Sequence, residues 1–183
     1  MKSEVKISVI VPCYNAENYV EQCMESIINQ EVKEIEILVI NDGSSDNTLE
    51  ILQYYAQNDT RVKLINQNNK GYGHACNVAI HEAKGEYISI VESDDFIHRE
   101  MYQVLYNLSE NGTVDVIKGN FYDYYAEEGK IPEAFVNEER KNMPEIEESF
   151  SLRKIPEILQ GHPSIWSAIY RKDFLTENKI LFK

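Results

Sequence analysis

The 183-residue sequence predicts an α/β fold: a mostly parallel sheet with helices on both faces. Three observations lead there. Four short apolar runs rich in β-branched residues, at 7–11, 35–40, 62–65 and 87–91, each have the length of a buried strand. Apolar residues at helical spacing separate them. The strand–helix alternation then repeats at the spacing that right-handed crossovers between parallel strands require. An apolar share of 43% and a charged share of 27% are those of a globular chain and exclude a disordered or fibrous one.

The elements follow in order. The run 7–11 is the first strand, and Pro12, which has no N–H to donate, is expected to end it. Val20, Met24, Ile27 and Ile28 then share one helix face. After the strand at 35–40, Asn47 followed three residues later by Glu50 resembles a capping pair, opening a helix whose apolar face is Leu49, Leu52 and Ala56. The strand at 62–65 leads to a third helix carrying Ala75, Val78 and Ala79. The strand at 87–91 leads to a fourth, carrying Met101, Leu105 and Leu108. Residues 123–149 hold nine acids against three bases, a net of −6, with Pro132 and Pro144 and no sustained apolar period. That stretch reads as an acidic insertion or loop within a single domain spanning 1–183.

Charge narrows the function classes. Lys and Arg total 18 against 31 Asp and Glu, a net of −13, and such a surface repels nucleic-acid phosphates and anionic lipid headgroups. An anionic substrate needs a local positive centre, such as a metal ion, within this negative field. No apolar run reaches the ~18 residues of a membrane helix, and the first six residues lack the apolar core of a signal peptide, so a cytoplasmic location is expected. Cys13, Cys23 and Cys76 are odd in number and form no CxxC pair. They read as reduced thiols rather than a disulfide framework or zinc site.

Ligands of such sheets bind outside the carboxyl ends of the strands, so the loops there carry the candidates. After the first strand, Tyr14 and Asn15 offer an aromatic face and an amide, although the same residues with Glu17 suit a turn and helix cap. After the second, Asp42 can accept hydrogen bonds from a base or ribose, and Asp42-Gly43-Ser44 also makes an ordinary turn. The third loop contains Lys70-Gly71-Tyr72-Gly73. It lacks the third glycine of a dinucleotide fingerprint, and its useful feature is the Lys70 charge, suited to a phosphate. After the fourth strand, Glu92-Ser93-Asp94-Asp95 crowds three carboxylates into four residues. The mutual repulsion favours a divalent cation, and the competing reading is a helix cap.

In order and spacing, Ile7-Ser8-Val9-Ile10-Val11-Pro12-Cys13-Tyr14-Asn15-Ala16-Glu17, Val39-Ile40-Asn41-Asp42-Gly43-Ser44-Ser45-Asp46, Asn69-Lys70-Gly71 with Ala75-Cys76-Asn77, Gly85-Glu86-Tyr87-Ile88 and Glu92-Ser93-Asp94-Asp95 resemble the motifs of family 2 glycosyltransferases with the Rossmann-like GT-A fold. A weaker match, Ser164-Ile165-Trp166-Ser167-Ala168-Ile169-Tyr170-Arg171-Lys172, resembles a segment of the bacterial polysaccharide-type members. The resemblance implies inverting transfer from a nucleotide diphosphate-sugar, commonly a UDP-sugar, to a saccharide or lipid-linked acceptor, with Mn2+ or Mg2+ as cofactor. It leaves open peripheral association with the inner face of the membrane. Carried over, it assigns the nucleoside pocket to Pro12, Tyr14, Asn15 and Glu17, and the base to Asp42. The metal falls to Asp94, with Glu92 or Asp95 beside it, Ser93 lies within the donor site, and Trp166 lies on the acceptor side.

Two positions depart from the pattern: Glu92 stands where Asp is commoner, and Cys76 where many members carry Arg. The second leaves Lys70 as the phosphate partner. The resemblance places the general base beyond Tyr170-Arg171-Lys172, in a motif expected after Lys183, so no catalytic base is assigned within the chain. Asp173 reads as a helix N-terminus, and His162 lies near Trp166 in sequence. Two alternatives are weighed against transfer: a non-catalytic nucleotide-sugar-binding or scaffold protein of the same fold, and a nucleotidyltransferase. The latter wants a Gly-rich loop after the first strand, where this chain has Pro12-Cys13-Tyr14-Asn15.

Overall fold

Continuous apolar runs, rather than alternating ones, indicate strands covered on both faces, and the sheet is built that way. The computed structural model describes residues 4–121 and 164–183, with Ser149, Ser151, Arg153 and Lys154. Apart from exposed Ser149, the acidic stretch 123–149 lies outside the described residues, as does His162. The elements are β1 (Ile7–Cys13), α1 (Val20–Ile28), β2 (Ile35–Asp42), α2 (Thr48–Asn58), β3 (Val62–Gln67), α3 (Tyr72–Glu82), β4 (Tyr87–Ile90), α4 (Met101–Asn107), β5 (Val116–Lys118), β6 (Ala168–Arg171) and α5 (Lys172–Glu177).

The described strands form one sheet in the order β3-β2-β1-β4-β6-β5. β1 to β4 are parallel, with Ile7 opposite Ile35 and Tyr87, while β6 runs antiparallel to both β4 and β5. Alternate side chains divide between two cores. Val9, Val11, Ile37 and Val39 pack with α1, α2 and α4, through Met24, Leu52 and Tyr102 among others. Ile10, Leu38, Ile40 and Ile88 pack on the other face with α3 and α5, through Ala75, Ala79 and Leu175. Helices therefore cover both faces, as expected.

Several local expectations need correction. Pro12 does not end the first strand: it lies inside β1, opposite Ile40. Ile10 accepts from Val91 N–H on the β4 side, and Pro12, two residues on, points its nitrogen the same way. The β1–β4 pairing stops at Ile10 and Ile90, so the missing N–H forfeits no ladder bond. Asn47 and Glu50 form no capping pair. The Asp46 carboxylate accepts from Thr48 N–H (3.0 Å), and Asn47 donates its side chain to Glu17 (2.8 Å). Helix faces also shift by a residue or so: Thr48, Leu52 and Tyr55 are the buried residues of α2, and Tyr102 and Leu105 those of α4, while Leu108, just past its end, is exposed.

At the amino ends of the strands, opposite the loops of interest, a buried polar group holds the sheet together. Ser8 Oγ donates to Glu36 Oε1 (2.6 Å) and accepts from the Gly85 N–H (2.8 Å), while Lys63 pairs with the other Glu36 oxygen. Burial pushes the Glu36 carboxyl up. The Lys63 and Ser8 hydrogen bonds outweigh it and hold the group below its ordinary range.

Candidate functional site

The parallel strands bring the four candidate loops to one edge. The first two are stitched to each other. Asn15, in the left-handed region (φ 51°), donates its N–H to Ser44 Oγ (3.0 Å), and its side-chain oxygen accepts from Ser45 N–H (2.8 Å). Glu17 accepts from the main-chain and side-chain nitrogens of Asn47 (3.0 and 2.8 Å), and Asp46 accepts the Glu17 N–H (3.1 Å). These bonds fix the loop around Tyr14, whose ring is exposed, above buried Pro12. Asn15 and Glu17 thus spend much of their hydrogen-bonding capacity on the loop itself.

Asp42, at the last position of β2, is buried and organises the third loop. Its Oδ1 accepts from the Gln67 amide (2.7 Å) and the Lys70 N–H (2.9 Å), and its Oδ2 from the Gly71 N–H (2.8 Å). Burial pushes this carboxyl up, but the three donors prevail and lower it. Gly43 permits the fit. It has φ +75°, and a Cβ there would lie 2.6 Å from Asn69 N, so the second and third loops touch through backbone. Lys70 then stands exposed, with no ion pair among the described residues, beside an open cleft of about 500 Å³ that Tyr72, His74, Asn77, Phe182 and Lys183 also line.

The fourth loop carries the carboxylates. Glu92 O accepts the Asp95 N–H (3.0 Å) in a tight turn that leaves Asp94 exposed and Glu92, Ser93 and Asp95 half-buried. Burial, then the charges of Asp94 and Glu92, push Asp95 up to about 6. These are hard oxygen donors crowded by their own charge, a set that suits Mg2+ or Mn2+. Among the described residues no group of three His, Cys, Asp or Glu is already arranged to hold a metal ion. Beneath the turn lie Cys13 and Cys23, both buried and unpaired. Burial pushes the Cys13 thiol up to about 12, so it is no nucleophile at neutral pH.

Trp166 reaches the same edge by register. Ile169 lies opposite Ser89 in the antiparallel β4–β6 pair, so the residues before β6 run alongside those after β4. The Trp166 ring is half-buried, 6.0 Å from Phe121. Asp173 lies in the first turn of α5, after Arg171, which pairs with Tyr87 at the start of β4. It therefore belongs to the opposite edge of the sheet, away from the candidate loops.

The family model described as Glycosyl transferase family 2 matches residues 8–175, nearly the whole chain. The chain belongs to glycosyltransferase family 2. It is 34% identical over 182 residues to the uncharacterized glycosyltransferase YibD of Escherichia coli (strain K12), covering 100% of this chain and 53% of that protein. It is 43% identical over 126 residues to glycosyltransferase GlyG of Streptococcus pneumoniae serotype 4, covering 68% and 42%. Among solved structures, S. aureus TarS 1-349 in complex with UDP-GlcNAc superposes with a TM-score of 0.76 at 29% identity, over 98% of this chain and 49% of that one. The chain spans about half the length of the curated relatives it matches.

The fold of this family 2 glycosyltransferase is thus the expected GT-A arrangement, with every described candidate at the carboxyl edge. Sequence reading missed the residues that build this edge rather than line it: Gln67 on Asp42, Ser44 and Ser45 on Asn15, and Phe182 against Tyr72 and Asn77. Gln67 alone left a signal, as a polar residue at the end of a strand facing the loop it supports.

Proposed function

We propose that this family 2 glycosyltransferase binds a nucleotide diphosphate-sugar, a UDP-sugar, at the carboxyl edge of its sheet. The sugar is transferred with inversion to a saccharide or lipid-linked acceptor in cell-surface polysaccharide synthesis. One observation carries the reading: an exposed aromatic face, a buried carboxylate, an exposed lysine and a carboxylate turn stand on four successive loops of one edge. The UDP-GlcNAc complex of TarS supports a UDP-sugar as donor.

Each group has a distinct task. The exposed Tyr14 ring offers a stacking face to the base, in the pocket framed by Pro12, Asn15 and Glu17. Asp42 has accepted three hydrogen bonds, so one lone-pair direction remains on Oδ2 for a base N–H. The Lys70 ammonium faces the diphosphate, with Ser93 and Glu92 towards the ribose. Asp94, with Glu92 or Asp95, would hold Mn2+ or Mg2+, which when bound supplies the positive charge that a leaving nucleotide diphosphate needs. Trp166 borders the acceptor. No described helix is long and apolar enough to cross a membrane, and peripheral association at the inner face through the acceptor completes the proposal.

Thermal unfolding of the wild type and of Asp94→Ala, with UDP or a panel of nucleotide sugars, with and without Mn2+, tests this. A UDP-sugar at a hundred times its Kd should stabilise the wild type by about 2.7 kcal/mol when Mn2+ is present. Asp94→Ala should lose most of that. The proposal is wrong if no nucleotide or nucleotide sugar shifts the wild type under any metal condition.

A further inference from the structure

Residues 180–183 lie against α3. The Asn77 side chain donates to Phe182 O (2.9 Å) and accepts from Phe182 N–H (3.0 Å), reading both main-chain groups of one residue as a neighbouring strand would. The Phe182 ring meets Tyr72 edge-on, with centroids 6.0 Å apart and planes at 83°, and also joins the apolar cluster between α3 and α5. Gly73 makes the approach feasible: a Cβ there would lie 3.0 Å from Lys183 O and 3.1 Å from Phe182 Cβ. On the other side of Tyr72, the N–H groups of Lys70 and Gly71 are bound to Asp42. Contacts therefore run without a break from Phe182, through Tyr72 and Gly73, to Lys70, Gly71 and the end of β2.

We propose that the Asn77–Phe182 clasp is a positioning element for the donor, fixing the first turn of α3 so that Lys70, just before it, is presented to the bound nucleotide. This rests on the donor-site reading above. Neither Asn77 nor Phe182 need touch the ligand. Their contribution is that the loop between β3 and α3 is ordered before the nucleotide arrives, which lowers the cost of binding.

Calorimetric titration with UDP and Mn2+ provides the test, on the wild type, Asn77→Asp, Asn77→Leu, Phe182→Leu and Phe182→Tyr. Asn77→Leu and Phe182→Leu should weaken UDP binding about three- to tenfold, the change expected for losing an aromatic pair or its equivalent. Phe182→Tyr, which keeps the ring, should stay within about twofold of the wild type, and Asn77→Asp, which keeps only the acceptor, should fall between. Lower unfolding temperatures with unchanged UDP affinity in both leucine variants would show a purely structural contact and overturn the proposal. Should the wild type bind no UDP, the donor reading fails, and the clasp is judged by hydrogen exchange without ligand. The Lys70 and Gly71 amides should then exchange faster in Asn77→Leu, and unchanged exchange rejects the clasp.

Discussion

Asp42 shows how much one residue can decide and how little of that is local. Its position at a strand end and its acceptor chemistry are legible in the sequence. The occupation of its carboxylate is not, because the three donors arrive from Gln67, Lys70 and Gly71, 25 to 29 positions away. Burial alone would raise its pKa, and the N–H donors reverse the sign. A carboxyl lowered on folding stabilises the protein fully above its ordinary value of 3.8 and loses that contribution as pH falls through the lower folded value. Asp42→Asn should therefore cost about 1–3 kcal/mol at neutral pH, since a side-chain amide confronts main-chain N–H donors. Urea unfolding from pH 7 down to pH 3 should show the two proteins converging in acid. Parallel curves would mean that the native carboxylate gains nothing from its donors.

Sequence pattern resolved most sharply the strands buried on two faces, where physical necessity leaves a continuous run, as in β1 and β2. Those it missed are short and half-covered. β5 has three residues, of which only Ile117 is buried, and β6 has four, too few to set a period. The start of α2 failed for another reason: Asp46 and Asn47 are adjacent, both suit a cap, and only the folded loop decides which turns inward. There Glu17 claims the Asn47 amide, leaving Asp46 to accept the Thr48 N–H. Asp46→Ala should accordingly destabilise the protein by about 0.5–2 kcal/mol, as loss of a cap does. Asn47→Ala gives up one exposed side-chain bond and should cost under about 0.5 kcal/mol. Chemical denaturation of the two variants compares them directly, and a larger loss in Asn47→Ala would restore the original capping assignment.

Across the whole molecule the sheet separates the buried Ser8–Glu36 lock from the candidate donor loops, which lie at opposite edges. The proposed donor-binding groups stand beyond the carboxyl ends, while Ser8, Glu36, Lys63 and the Lys84–Gly85 backbone lock the amino ends. From Glu36 to Asp42, six residues of strand at about 3.3 Å each set the two roughly 20 Å apart, with apolar core on both faces between them. Side chains with no shared partners at such a distance act independently. Ser8→Ala removes the donor to Glu36 and the acceptor of two N–H groups, so it should lower stability by about 1–3 kcal/mol. The increment conferred by saturating UDP-sugar with Mn2+ should nevertheless equal that of the wild type, and the stability losses of Ser8→Ala and Asp94→Ala should add to within about 0.5 kcal/mol. Denaturant unfolding of the wild type, the two single variants and the double variant, with and without ligand, measures all of these quantities. A reduced ligand increment in Ser8→Ala would show the sheet transmitting strain from one edge to the other, and the separation of roles would have to be abandoned.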